Sequence, residues 1–126
     1  MSDRILLDTH AFLWWKENNP KLTLPAREAI ASADIVYVSA ASAWEVAIKS
    51  SLGKIKLPAP FSDGVEESGF IELPIQFDHA AAVELLPNHH ADPFDRMIIA
   101  QSRVEKLVVV SHDRAIEPYG IAVIWT

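Results

Sequence analysis

The sequence predicts an α/β fold in which a mainly parallel sheet is covered by helices on both faces. Two observations carry this. Short apolar runs recur at Ile5-Leu6-Leu7, Ile35-Val36-Tyr37-Val38, Phe70-Ile71-Glu72-Leu73, Leu107-Val108-Val109-Val110 and Ile121-Ala122-Val123-Ile124, the lengths and compositions of buried strands. Segments of helical spacing lie between them, and strict alternation of strand and helix favours parallel pairing through right-handed crossovers.

Taken in order, the first run leads into a segment ending near Pro20, and Pro20 and Pro25 flank a loop before a second helix. Ala40 to Ser51 follows the second run with helical spacing, and Gly53 ends it. Gly53 to Asp63, with Pro58 and Pro60, is the expected exposed connection. Phe77 to Leu86 and Pro93 to Glu105 supply the later helices, the last presenting Met97, Ile98, Ala100 and Val104 to a core. With 126 residues, half of them hydrophobic, and no interdomain linker, repeat or low-complexity tract, a single domain over residues 1–126 is expected.

Composition narrows the function classes. No apolar run approaches the roughly 20 residues of a membrane span, and the first residues lack the basic region of a signal peptide, so a cytoplasmic protein without a membrane partner is expected. There is no cysteine, which excludes disulfides, thiolate metal sites and a cysteine nucleophile. A formal charge of −6 argues against holding nucleic acid mainly by neutralising phosphates. It is compatible with a site whose bound cations reverse the local sign.

Four carboxylates stand out by position. Asp8 directly follows the first strand, Asp113 follows the fourth after Ser111-His112, Asp95 lies in the first turn of the helix opened by Asp92-Pro93, and Glu45 sits in the helix after the second strand. Ligands of open parallel sheets bind beyond the carboxyl ends of the strands, so these acids converge if strands one, two and four are neighbours. Each has a structural reading as well. Acids cap helix N-termini, Ser42-Ala43-Trp44-Glu45 has capping-box spacing, and Asp92 is read first as a cap. Carboxylates gathered at one place repel unless a cation compensates, and hard oxygen donors without cysteine favour magnesium or manganese and metal-assisted phosphoryl hydrolysis.

Other residues carry less. Ser111-His112-Asp113 has the residue types of a hydrolase triad, but three consecutive side chains do not adopt that geometry. His10, His79, His89 and His90 are metal-ligating residue types, but without a paired helical motif most are read as surface or helix-end residues, His10 beside Asp8 being the one singled out, and Trp14, Trp15 and Trp44 are read as core or interface packing. Lys49, four residues after Glu45, is expected to pair with it, and its alternative role is to orient that carboxylate or to contact a substrate phosphate or a partner. Lys54, Lys56, Arg96 and Arg114 are candidate RNA or partner contacts because they lie close in sequence to the acids.

The segments Leu6-Leu7-Asp8-Thr9-His10, Ser42-Ala43-Trp44-Glu45-Val46, Asp92-Pro93-Phe94-Asp95-Arg96-Met97-Ile98-Ile99-Ala100-Gln101 and Ser111-His112-Asp113 together resemble the successive motifs of PIN-domain, VapC-type toxins, nearly end to end. The resemblance implies an α/β/α sandwich and RNA endonuclease activity with Mg2+ or Mn2+ held by Asp8, Glu45, Asp95 and Asp113. It also implies a homodimer neutralised by a cognate antitoxin. Thr9 would bond Asp8 or a metal water, and Ser111 stands where the family often has threonine. Two rival classes remain. A haloacid dehalogenase-type phosphatase needs a second aspartate where this chain has His10, and a noncatalytic α/β module would keep the acidic pocket without hydrolysis.

Overall fold

The computed structural model describes residues 3–126. Five parallel strands, β1 (Arg4–Leu7), β2 (Ile35–Ser39), β3 (Ile71–Leu73), β4 (Val108–Ser111) and β5 (Val123–Trp125), form one sheet in the order β3-β2-β1-β4-β5. Helices α1 (Thr9–Glu17) and α2 (Leu24–Ser32) connect β1 to β2, α3 (Ala40–Ser51) and α4 (Phe61–Glu67) connect β2 to β3, and α5 (Phe77–Glu84) and α6 (Pro93–Glu105) connect β3 to β4. A 3-10 segment over Arg114–Tyr119 leads to β5.

The strand side chains alternate between two cores, because successive residues of a strand point to opposite faces. Ile5, Leu7, Val36, Val38 and Val110 face α1 and α2 and pack on Phe12, Ala26 and Ile30. Leu6 and Val109 face the other way, onto Ile98 and Ile99 of α6 and Ile116 and Tyr119 of the 3-10 segment. This is the expected sheet with both faces covered.

Strand limits shift where turn chemistry intervenes. Lys106 closes α6 in the left-handed conformation and the Leu107 amide returns to the Ser102 carbonyl, so β4 starts at Val108 rather than Leu107. The last strand begins at Val123, after left-handed Gly120, rather than at residue 121. The expected connection from Gly53 to Asp63 is shorter than anticipated, because α4 already begins at Phe61. Ser42 and Glu45 are not a capping box. Ser39 caps α3, accepting from the Ala41 amide at 3.0 Å, which leaves Ser42 and Glu45 within the helix and buried.

His79 lies at a helix end, as expected, but it is fully buried. Its Nδ1 accepts from the Gln76 amide at 3.0 Å and its Nε2 is 2.8 Å from Glu105 Oε2, tying α5 to α6. Gln101 beside it bonds Ser39 and the Pro74 carbonyl. Among the described residues every buried polar side-chain atom has a partner.

Arg96 is tied into the fold. Its guanidinium donates to the carbonyls of Pro87, Val83 and Leu86 and to the Tyr119 hydroxyl, at 2.9 to 3.3 Å. Those bonds occupy it as a clamp holding the α5–α6 connection to the 3-10 segment, a structural role that its closeness in sequence to the acids did not suggest. Losing a charged donor from four acceptors, Arg96→Ala costs about 2 kcal/mol of stability. A lowered urea midpoint with unchanged slope is the measurement that checks it.

Candidate metal centre

The strand order places a topological switch between β1 and β4. From β1 the chain steps outward through β2 and β3, then returns to the opposite side of β1 as β4. Helices leaving β1 and β4 therefore go to opposite faces, and a crevice opens at the carboxyl ends of these two strands. The Asp8 amide spans it, donating to the Val110 carbonyl at 3.1 Å.

Asp8, Glu45, Asp95 and Asp113 line one pocket of about 220 Å³ there, with Thr9, His10, Lys49, His90, Asp92 and His112. The sequence-level condition for convergence is thus met. Capping and clustering turn out to be compatible. Asp8 caps α1, accepting from the Ala11 amide at 2.8 Å, and Asp113 caps the 3-10 segment through the Ala115 amide at 2.9 Å. Asp92 caps α6 through the amides of Phe94 and Asp95, as read from the Asp-Pro pair. Because those helices start at the pocket, their positive ends face the acids.

The four acids are held differently. Glu45 is buried and both its oxygens are engaged, Oε1 by the Thr9 hydroxyl at 2.7 Å and Oε2 by Lys49 Nζ at 2.8 Å. The expected Lys49 pairing is present. Thr9 bonds Glu45, with the Ser42 hydroxyl 2.9 Å away, rather than Asp8. Ser111 stands beside Asp8, lowering its pKa against the effect of burial, and its hydroxyl accepts from the Asp113 amide at 3.0 Å. Asp95 and Asp113 come together around His90, whose Nε2 lies 2.9 Å and 3.1 Å from their Oδ2 atoms.

Of the four histidines for which a surface or helix-end place was favoured, His90 instead stands inside the pocket between two of the acids. It sits in the loop before α6, and only its place three residues from Pro93 in a segment of clustered acids hinted at the site. His10 and His112 lie at the pocket rim, their rings edge to face at 5.1 Å and both against Trp14. That arrangement leaves no Ser-His-Asp triad. Lys54 and Lys56 are exposed on the loop after α3, and Arg114 lies over the Trp125 ring with Glu117 at 3.5 Å. Trp14 and Trp15 pack on the core, whereas Trp44 is 59% exposed against Phe94.

Crowding shows in the acid strengths. Burial raises Asp8, opposed by its bonds from Ser111 and Ala11. Burial also pushes Asp95 up to about 7, with the Asp92 charge and then Asp8 and Asp113 adding to it against His90. Asp113 is only lightly desolvated, and the Ala115 amide and His90 outweigh that and lower it. A pocket of mutually repelling carboxylate oxygens fits a hard divalent cation, which would relieve the repulsion.

Asp95 takes up its proton near pH 7 when folded and near 3.8 when unfolded, so the folded chain binds more protons between those values. Stability of the metal-free protein therefore rises as pH falls from 8 through 7 toward 5. Asp113, shifted the other way, contributes stability that is lost only in stronger acid. Thermal melts at pH 6 and pH 8 in EDTA check this: wild type melts higher at pH 6, and Asp95→Asn narrows the difference.

The comparisons agree with this geometry. The PIN domain pattern matches residues 5–121. Ribonuclease VapC22 of Mycobacterium tuberculosis is 28% identical over 118 residues, covering 91% of each chain. Two solved structures share the fold. VapBC2 from Rickettsia felis, bound to a fragment of promoter DNA, superposes with a TM-score of 0.70 at 9% identity, over 96% of this chain and 97% of that one. DNA-bound VapBC from Salmonella typhimurium gives 0.68 at 20% identity, over 98% of each. With an all-parallel sheet whose switch-point crevice gathers four acids, and a pattern match spanning nearly its whole length, this chain belongs to the PIN domain family.

Proposed function

We propose that the chain is a metal-dependent endoribonuclease and the toxin of a toxin-antitoxin pair, a single catalytic domain. The observation that carries this reading is the convergence of Asp8, Glu45, Asp95 and Asp113 on one pocket at the β1–β4 switch point. The relative named as a ribonuclease and the VapBC assemblies of like fold support it. Magnesium or manganese is the proposed ion, held by the four acids. When bound, such an ion supplies Lewis acidity toward a phosphoryl oxygen and the attacking water.

The chain's own groups prepare the pocket. Thr9 and Lys49 fix the Glu45 carboxylate on α3, so it does not drift with solvent. The Asp8 amide bonds the Val110 carbonyl across the ends of β1 and β4, and the Ser111 hydroxyl accepts from the Asp113 amide. Asp95, one turn into α6, is carried on a helix whose start Asp92 and Pro93 define. Exposed Lys54, Lys56 and Arg114 are assigned to attracting RNA phosphates, which offsets the acidic balance of the chain as a whole.

An antitoxin and a second copy of the chain are the proposed protein partners. Trp44, Ile48 and Leu52, at helical spacing along α3, form an exposed apolar stripe. On the other side of α3, Val46, Ile55, Leu57, Pro60 and Phe61 line a groove suited to an apolar segment. Among the described residues no helix is long and apolar enough to cross a membrane.

Incubation with a panel of structured RNAs tests the reading. Cleavage is expected with Mg2+ or Mn2+, absent in EDTA, and reduced by about a thousandfold or more in Asp95→Asn and Asp113→Asn. Equal cleavage by wild type and variants refutes the assignment. A second expectation concerns the loop after α3. Lys54→Glu with Lys56→Glu reduces RNA cleavage about tenfold at low salt, and the deficit shrinks as ionic strength rises. Unchanged cleavage and unchanged antitoxin binding remove the lysines from both roles.

A further inference from the structure

The four acids do not converge equally. Both Glu45 oxygens are engaged by Thr9 and Lys49, and Asp8 gives Oδ1 to the α1 amide of Ala11. The donors that do share a single small space are Nε2 of His90 and one oxygen each of Asp95 and Asp113, all within 4.8 Å of one another. The nitrogen is 2.9 Å and 3.1 Å from the two oxygens. Neighbouring donors at right angles around one ion, with bonds of about 2.1 Å, are separated by about 3.0 Å.

The ring is also held in place. The His90 amide donates to the Tyr119 hydroxyl at 2.9 Å, and Arg96 pins the preceding loop through the Pro87 and Leu86 carbonyls. The side chain is 19% exposed. Its other nitrogen, Nδ1, faces the Asp92 amide at 3.5 Å, so without an ion the ring proton sits on Nε2 between the two carboxylates, and binding an ion there shifts it to Nδ1 at the cost of only that long contact.

Resting on the metal-dependent reading above, we propose that His90 is a metal ligand of this pocket, joining Asp95 and Asp113 to form a mixed nitrogen-oxygen site. An imidazole ligand changes which ion the pocket prefers. Magnesium takes oxygen donors almost exclusively, whereas a mixed nitrogen-oxygen site binds the first-row divalent metals with affinity rising from Mn2+ toward the later ions. The chain is therefore tuned toward Mn2+ over Mg2+ by a residue outside the four acids.

Mn2+ binding by wild type, His90→Ala, His90→Gln and Asp95→Asn, followed by electron paramagnetic resonance, tests the assignment, with Mg2+ measured by competition and circular dichroism confirming the fold. Wild type should show nitrogen-14 modulation in the spin echo of bound Mn2+. Both His90 variants should lose that modulation and bind Mn2+ about tenfold or more weakly, with Mg2+ affinity changed by less than about threefold. If Mn2+ binds tightly to the His90 variants, or the modulation persists in them or is missing from wild type, His90 is not a ligand. If those variants bind as wild type does while Asp95→Asn fails to, the carboxylate reading stands and only this inference falls. If Asp95→Asn also binds normally, or wild type binds no Mn2+, both fall.

Discussion

The parallel pairing of β1 with β4 is the contact on which everything at the pocket depends. It brings residue 8 beside residue 111 across more than a hundred positions of chain, and it does so at the ends of the strands, where helices must begin. Three needs then fall on the same few residues: the strands must stop, the helices must be capped, and the crevice between them must be lined with something water tolerates. Aspartate answers all three, since its carboxylate accepts the free amides of a first helical turn and favours the positive end of the helix.

That coincidence explains what the sequence disclosed and what it hid. The strand-helix alternation, the cap at Asp92 and the pairing of Lys49 with Glu45 depend on residues close in sequence, and all were legible. The gathering of acids could be inferred conditionally, because strand order alone decides whether positions after different strands meet. Features set by tertiary contact were not readable. Arg96 looks like any helix arginine until α5 and Tyr119 surround it, and His79 is an ordinary polar residue until Glu105 closes over it. Ser42 and Glu45 fit a local motif that lost to Ser39, one turn earlier. His90 gave no periodic signal, since a loop residue's place is fixed by whatever anchors the loop.

The pocket and the rest of the protein follow opposite physical rules. Both cores are apolar and satisfied, and the buried polar groups around His79 and Gln101 are fully paired, so each favours a single packing. At the crevice, burial disfavours the charged forms of Asp8 and Asp95 and raises both above the ordinary carboxylate range. The acids stay gathered because each is tied to the start of a helix or held on one, Asp8 by the Ala11 amide, Asp113 by the Ala115 amide and Asp95 on α6. Such local frustration inside an otherwise consistent fold is the pattern expected of a functional site.

The double duty of Asp8 and Asp113 has a genetic consequence. Asparagine caps a helix about as well as aspartate, so exchanging one for the other removes a charge while leaving the turn intact. The two residues are also one base transition apart. If these acids serve the proposed nuclease, loss of chemistry and loss of fold are thereby uncoupled at these positions: inactive chains that still fold and still present the same outer surface lie a single mutation away. Such chains would compete with the intact protein for whatever recognises that surface, and a population under pressure to silence it has a route that does not pass through misfolding.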